Sequence, residues 1–205
     1  MEARMDDGES LSWKTLQALN PESVCRRSGA QFDAESRIYT LTVLGQEIHA
    51  ELNTCEVSSQ NQQGSAVIEG FEEYSRVAVL QYLINARDIS ETGVVILPGA
   101  LPGGTIFTQG AHQLPLGGLV RKYGENPEDF YSAGAELGGT KTEFGDMGLK
   151  VYAFPKIPIF LTLWKDSEEF PGEGTCSFDS SIQLHLPGDV IWATAMMTIS
   201  TFMNI

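Results

Sequence analysis

The run IPIFLTLW, Ile157 to Trp164, constrains the fold of this chain more than any other stretch. It is apolar throughout except at Thr162, and it is far shorter than a membrane span. It reads as a buried strand. MGLKVYAF, Met147 to Phe154, precedes it and reads as a second strand, joined to the first through Pro155–Pro158. Beyond Trp164 the chain turns acidic. KDSEEFPGEGTCSFDSS carries Asp166, Glu168, Glu169 and Asp179, with Phe170 and Pro171 among them. Carboxylates at the exit of a buried strand either keep that exit soluble or line a site.

The remaining elements are read around this pair. Ser12 caps a short helix through Leu19, and Asn20 caps a second one that opens on Pro21 and ends near Gly29. RIYTLTV and QEIHAEL alternate on either side of Leu44–Gly45, which predicts a hairpin. Residues 56–65 are polar and read as a loop. Glu72 to Arg87 carries apolar residues at helical spacing. GVVILPGALPGGTIF is a short strand broken by a Pro/Gly loop. Helices are expected around 109–122 and from Pro127 to Leu137, a turn over GGTKTEFGD, and no regular structure over 166–181. Pro187 or Asp189 opens a last helix. Helices and strands come in blocks, so the expected class is α+β, a mostly antiparallel sheet packed with helices. The expected organisation is a disordered N-terminal arm over 1–10 and a single domain over 11–205.

Charge narrows the partners. The chain has 205 residues and a net charge of −14, which repels nucleic acid and anionic membranes. The terminal VIWATAMMTISTFMNI falls about a turn short of a comfortable span and lacks a basic flank, so it reads as a docked helix. MEARMDDGES lacks the apolar stretch of a secretory signal. Cys25, Cys55 and Cys176 are odd in number and widely spaced, with no CxxC pair, which fits a reducing cytoplasm.

Several stretches carry chemistry on paper. Converging carboxylates would bind a hard cation, move a proton or hold a ligand's N–H groups. The spacing here is not that of an EF-hand. Gly103–Gly104 in LPGALPGGTIF permits a close backbone approach to a ligand, or simply a turn. ELGGTKTEFG looks like the phosphate turn of actin-like sugar kinases. A helical pattern precedes it and only 61 residues follow Phe144, which argues against that architecture. His49, His112 and His185 show no zinc spacing. Ser180, His185 and Asp189 lack the G-x-S-x-G context of a hydrolase triad. Cys176 has no basic neighbour that would activate it.

LPGGTIF, FGDMGLKVYAFPKIPIFLTLW, SEEFP and FDSSIQLHLPGD together resemble the family called domain of unknown function 3786, over roughly Glu22 to the C-terminus. Its pattern runs L-P-G-G, G-D before an apolar strand, P-x-x-P, W-x-x-D-E-E-F-P, then F-D. Asp166 sits one place earlier than the strict D-E-E, and Phe178–Asp179 matches the F-D. The resemblance implies no assigned activity. It implies an anaerobic setting, because relatives look like fusions to iron–sulfur domains similar to those of corrinoid proteins. Three scattered cysteines cannot supply a Cys₄ cluster, so an iron–sulfur or corrinoid centre would sit on a partner protein.

The resulting expectation is a cytoplasmic accessory or ligand-binding protein of anaerobic metabolism. Trp164 and Phe170 form an apolar wall, Asp166, Glu168, Glu169 and Asp179 orient a polar or cationic ligand, and Gly103 and Gly104 approach it closely. Glu168, Glu169 and Asp179 are the candidate metal ligands. Two alternatives remain: a carboxylate-dependent hydrolase or transferase, with or without a divalent cation, and an interaction module with an apolar patch built from 189–205.

Overall fold

The computed structural model describes residues 3–205. Helix α1 (Ala3–Ala18) starts earlier than a disordered arm over 1–10 allows, so that boundary is corrected from Ala3 onward, with residues 1–2 outside the described part. Helix α2 (Pro21–Ser28) forms where its caps predict. The Asn20 side-chain oxygen accepts from the Ser23 N–H at 3.0 Å, and Gly29, at φ 76°, donates back to the Cys25 carbonyl.

Strands β1 (Gln31–Asp33), β2 (Ile38–Val43), β3 (Gln46–Glu51) and β4 (Glu56–Ser58) make an antiparallel four-stranded sheet in chain order. The β2–β3 turn, Leu44–Gly45, has both residues at positive φ, the conformation a two-residue hairpin needs. Leu44 is buried, and its N–H donates to the Tyr152 carbonyl of the second sheet. The hairpin tip thereby joins the two sheets. Residues 56–65, read as a loop, contain β4 and the start of helix α3 (Gln62–Glu69). Asn61 caps that helix by accepting from the Gly64 N–H at 2.6 Å. EVS is too polar to announce itself as a strand, and its pairing with β3 makes it one.

Helix α4 (Glu72–Asn85) leads through residues 86–94 to β5 (Val95–Ile96). Three 3₁₀ turns come next, at Pro98–Ala100, Gly104–Phe107 and Gly110–His112, and then helices α5 (Leu116–Tyr123) and α6 (Pro127–Glu136). The helix expected over 109–122 begins only after Pro115, whose ring does not fit a helix interior. The second sheet adds β6 (Thr140–Thr142), β7 (Met147–Phe154), β8 (Ile157–Trp164) and β9 (Glu173–Asp179). Its order is β5-β9-β8-β7-β6, antiparallel throughout. The class is therefore α+β, with two antiparallel sheets in place of one. Strand β9 occupies ground read as irregular, and β6 lies within the expected turn.

Helices α7 (Ile182–His185) and α8 (Gly188–Asn204) close the chain. Helix α8 is buried around most of its circumference, from Val190 to Phe202, as a helix apolar on all sides must be. It belongs to the same core cluster as Tyr39, Leu80 and Phe154. An exposed patch built from 189–205 is thereby excluded. Among the described residues no helix is long and apolar enough to cross a membrane.

Candidate functional site

Strand β9 has one edge paired along its length and one paired only in part. Along β8 it pairs from Ile159↔Phe178 to Trp164↔Glu173. On its other side β5 covers only Asp179 and Phe178. Strand β5 stops because Pro98 comes next. In the same register Pro98 would face Cys176, and it has no N–H to offer. The chain turns away instead, with the Leu101 N–H donating to the Pro98 carbonyl at 3.0 Å.

Antiparallel pairing fixes which backbone groups the partly paired edge presents. The Ser180 N–H donates to the Val94 carbonyl at 2.8 Å, so Ser180 and, by alternation, Phe178 point their polar groups toward β5. The same alternation turns the N–H and C=O of Cys176 and Gly174 away from β8. Neither residue's outward groups have a hydrogen-bond partner among the described residues, but Cys176 is 1% exposed and only the half-buried Gly174 end of this edge reaches solvent.

A half-open cavity of about 550 Å³ lies over this edge. Leu97, Pro98, Phe107 and Leu114 wall one side, and Leu116 and Val120 of α5 wall the other. Residues Gly172 to Cys176 line the remaining side. Glycine at 172 and 174 lets α5 come this close, because a Cβ there would stand 3.0 and 3.2 Å from Val120 methyls. Gly117 also lines the cavity, and a Cβ there would meet only the Arg121 guanidinium, at 3.5 Å. The Cys176 thiol is buried, and burial pushes its pKa up to about 12. It packs and does not react.

The residues picked out from sequence do not converge. Trp164, Asp166, Glu168, Glu169 and Phe170 all lie exposed at the β8 exit and in the loop over 165–172, Phe170 at 70%. That loop is tied internally. The Ser167 N–H donates to the Phe170 carbonyl at 2.9 Å, and the Lys165 N–H donates to Asp146 at 2.9 Å. Asp179 lies at the far end of β9 from Glu173, about 20 Å away along an extended strand. The proposed trio of Glu168, Glu169 and Asp179 is therefore not assembled. The physical reason is β9 itself, which carries Asp179 away from the loop. Among the described residues no group of three or more His, Cys, Asp or Glu is placed to hold a metal ion.

Asp179 is a structural acceptor. It is 1% exposed and takes hydrogen bonds from the Thr92 N–H and hydroxyl at 3.0 Å, the Gly93 N–H at 2.8 Å and the Ser181 N–H at 2.9 Å. Burial alone would raise its pKa, and the donors of Ser181 and Thr92 outweigh burial and bring it to about 2. Gly103 sits at φ 73°, and a Cβ on Gly104 would lie 1.7 Å from the Pro98 carbonyl oxygen. Both glycines shape the loop that carries Leu97 and Pro98, and neither lines the cavity. His185 is buried and accepts from the Arg87 N–H at 3.2 Å. Ser180 pairs with Thr92 and Asp189 caps Val190, so no triad forms with His185.

Sequence reasoning missed Leu116, Gly117, Val120, Phe107 and Leu114. The available signal was glycine placement: Gly117 inside a helix, and Gly172 and Gly174 two apart in an otherwise extended stretch.

A family model described as Domain of unknown function (DUF3786) matches residues 20–201. No curated protein and no solved structure matches the chain.

Proposed function

The chain belongs to the DUF3786 family, and from that premise we propose that it is a ligand-binding accessory protein whose site is the cavity between α5 and the partly paired edge of β9. The observation that carries this reading is a formed cavity of about 550 Å³ with apolar walls and unused backbone donors and acceptors at its base. Small-molecule sites share that make-up: mostly apolar lining with few, fixed polar groups. Gly117, the second residue of α5, leaves this wall open, because a Cβ there would meet only the Arg121 guanidinium at 3.5 Å.

Binding suits this lining better than catalysis. Glu173 is the single carboxylate among the lining residues, and the single thiol, Cys176, is held protonated. A carboxylate-dependent hydrolase needs a second acid or a base within reach, and the lining offers neither. The setting belongs to the same proposal. An anaerobic cytoplasm and a corrinoid or iron–sulfur partner are what the family resemblance implies, and three free thiols suit a reducing compartment.

Filling the cavity tests the site. Gly117→Phe directs a ring toward the cavity, where a Cβ meets only the flexible Arg121 side chain, so its thermal midpoint is expected to match the wild type. Nile red, a neutral apolar dye, is expected to bind wild-type protein at one saturable site and the variant at least about tenfold more weakly. Equal binding by both proteins would locate the dye elsewhere and overturn the reading.

A further inference from the structure

We propose that the cavity takes an apolar monocarboxylate, such as a medium-chain fatty acid, with its hydrocarbon tail between the walls and its carboxylate on the Arg121 guanidinium. This rests on the cavity being the binding site, and it names the class of ligand.

The walls assign the tail. Leu97, Pro98, Phe107 and Leu114 on one side and Leu116 and Val120 on the other bound a volume of about 550 Å³. Small-molecule sites occupy about 300–1,000 Å³. Each methylene moved from water into such a lining adds to binding.

Arg121 assigns the head group. Residues four apart lie on one face of a helix, and a helical side chain leans back over the turn before it. Arg121 therefore covers Gly117, and its Nη1 stands 3.5 Å from where a Cβ on Gly117 would be. Gly117 lines the cavity, and its missing side chain lets the guanidinium lie against that wall. Arg121 forms no ion pair among the described residues, so no carboxylate of the chain occupies its fork of donors. Its neighbour Lys122 is turned elsewhere, donating to the carbonyls of Phe202 and Met203 at the end of α8.

The carboxylate of Glu173 does not contest this place. Trp164 pairs with Glu173 and Leu163 with Gly174, and directly paired residues share a face of the sheet. Gly174 faces α5, because a Cβ there would meet Val120 and Leu116 at 3.2 and 3.5 Å. Glu173 therefore sends its side chain to the opposite face, beside the exposed Trp164. A guanidinium and a carboxylate meet through two parallel hydrogen bonds, a planar match that an alcohol or amine head does not offer. The net charge of −14 repels anions at long range, so any preference for one must come from contact with Arg121.

Calorimetric titration of the intact protein with decanoate, decanol and decylamine varies the head at constant tail. Decanoate is expected to bind at one site, at least about tenfold more tightly than decanol, with decylamine no tighter than decanol. Arg121→Gln should bring decanoate to within about twofold of decanol. Arg121→Lys keeps the charge and loses the fork, so it should retain part of the preference. Equal binding of decanoate and decanol by the wild type, or a preference that survives Arg121→Gln, overturns the proposal. So does decanoate binding that Gly117→Phe leaves intact, because the acid would then sit elsewhere. Nile red separates the two readings: if it binds and Gly117→Phe blocks it while decanoate shows no preference over decanol, the cavity stands and the acid fails. If neither the dye nor decanoate binds, both fall.

Discussion

Asp179 spends its carboxylate on four donors, which leaves nothing for a ligand. Its pKa is depressed, so the stability it contributes is complete above about pH 4 and is lost as pH falls toward about 2. A drop from 3.8 to about 2 corresponds to about 2 kcal/mol. Asp179→Asn should lower the urea-unfolding free energy by about that amount at pH 7, and the gap to wild type should close by about pH 2. A gap that persists unchanged at pH 2 would mean the loss is steric. His185 acts at higher pH. Burial first, then Lys156 and Arg87, push its pKa down against the pull of Asp179. Below about pH 6.5 the unfolded chain takes up a proton there that the folded one resists, so stability declines as pH falls. His185→Asn keeps an acceptor for the Arg87 N–H and should flatten that slope, as urea titrations from pH 7.5 to about 5 would show. Sequence alone marked both residues as interesting. It could not distinguish an acid facing solvent from one facing Thr92, because that partner lies 87 positions away.

Elements with local signals were legible, and those made by distant pairing were not. Asn20, Pro21 and Gly29 bracket α2 within ten residues, and Leu44–Gly45 closes its own hairpin. Strands β7 and β8 announce themselves by apolar length. Strand β9 does not, because EGTCSFD mixes glycines and acids, and β8 alone makes it a strand. That one missed element decided the site. Reading 166–181 as a loop let Asp179 fold back onto Glu168 and Glu169, whereas as a strand it separates them. The LPGG loop was half legible. Its glycines were seen, yet the cause of Gly104 is the Pro98 carbonyl, which a one-dimensional pattern does not contain. Gly104→Ala should therefore cost about 1–3 kcal/mol or more, since backbone must move to admit the methyl. Gly103→Ala has open space and should cost about 1–2 kcal/mol through its left-handed φ alone. Chemical denaturation of both variants checks the order, and a harmless Gly104→Ala would mean that the turn yields easily.

The whole molecule carries 27 acids against 13 bases, and Lys and Arg of the described residues form ion pairs only at Arg76–Glu9, Lys150–Glu91 and Lys156–Asp88. Two of these, with the Asp179 contacts, tie residues 88–93 across the larger sheet. Most of the other acids among the described residues face water outside these ion pairs, and their mutual repulsion works against the compact state. Salt shortens the reach of that repulsion, from about 30 Å at 0.01 M to about 3 Å at 1 M. The thermal midpoint should therefore rise by a few degrees as NaCl goes from about 0.01 to about 0.5 M, a range that screens surface charge without reaching the core. The loop over 165–172 should account for part of this rise. The triple variant Asp166→Asn, Glu168→Gln, Glu169→Gln should show a smaller salt response and a stability within about 0.5 kcal/mol of wild type at moderate salt, because these side chains are exposed. A midpoint that falls with salt would mean that attraction within the three ion pairs outweighs repulsion among the rest.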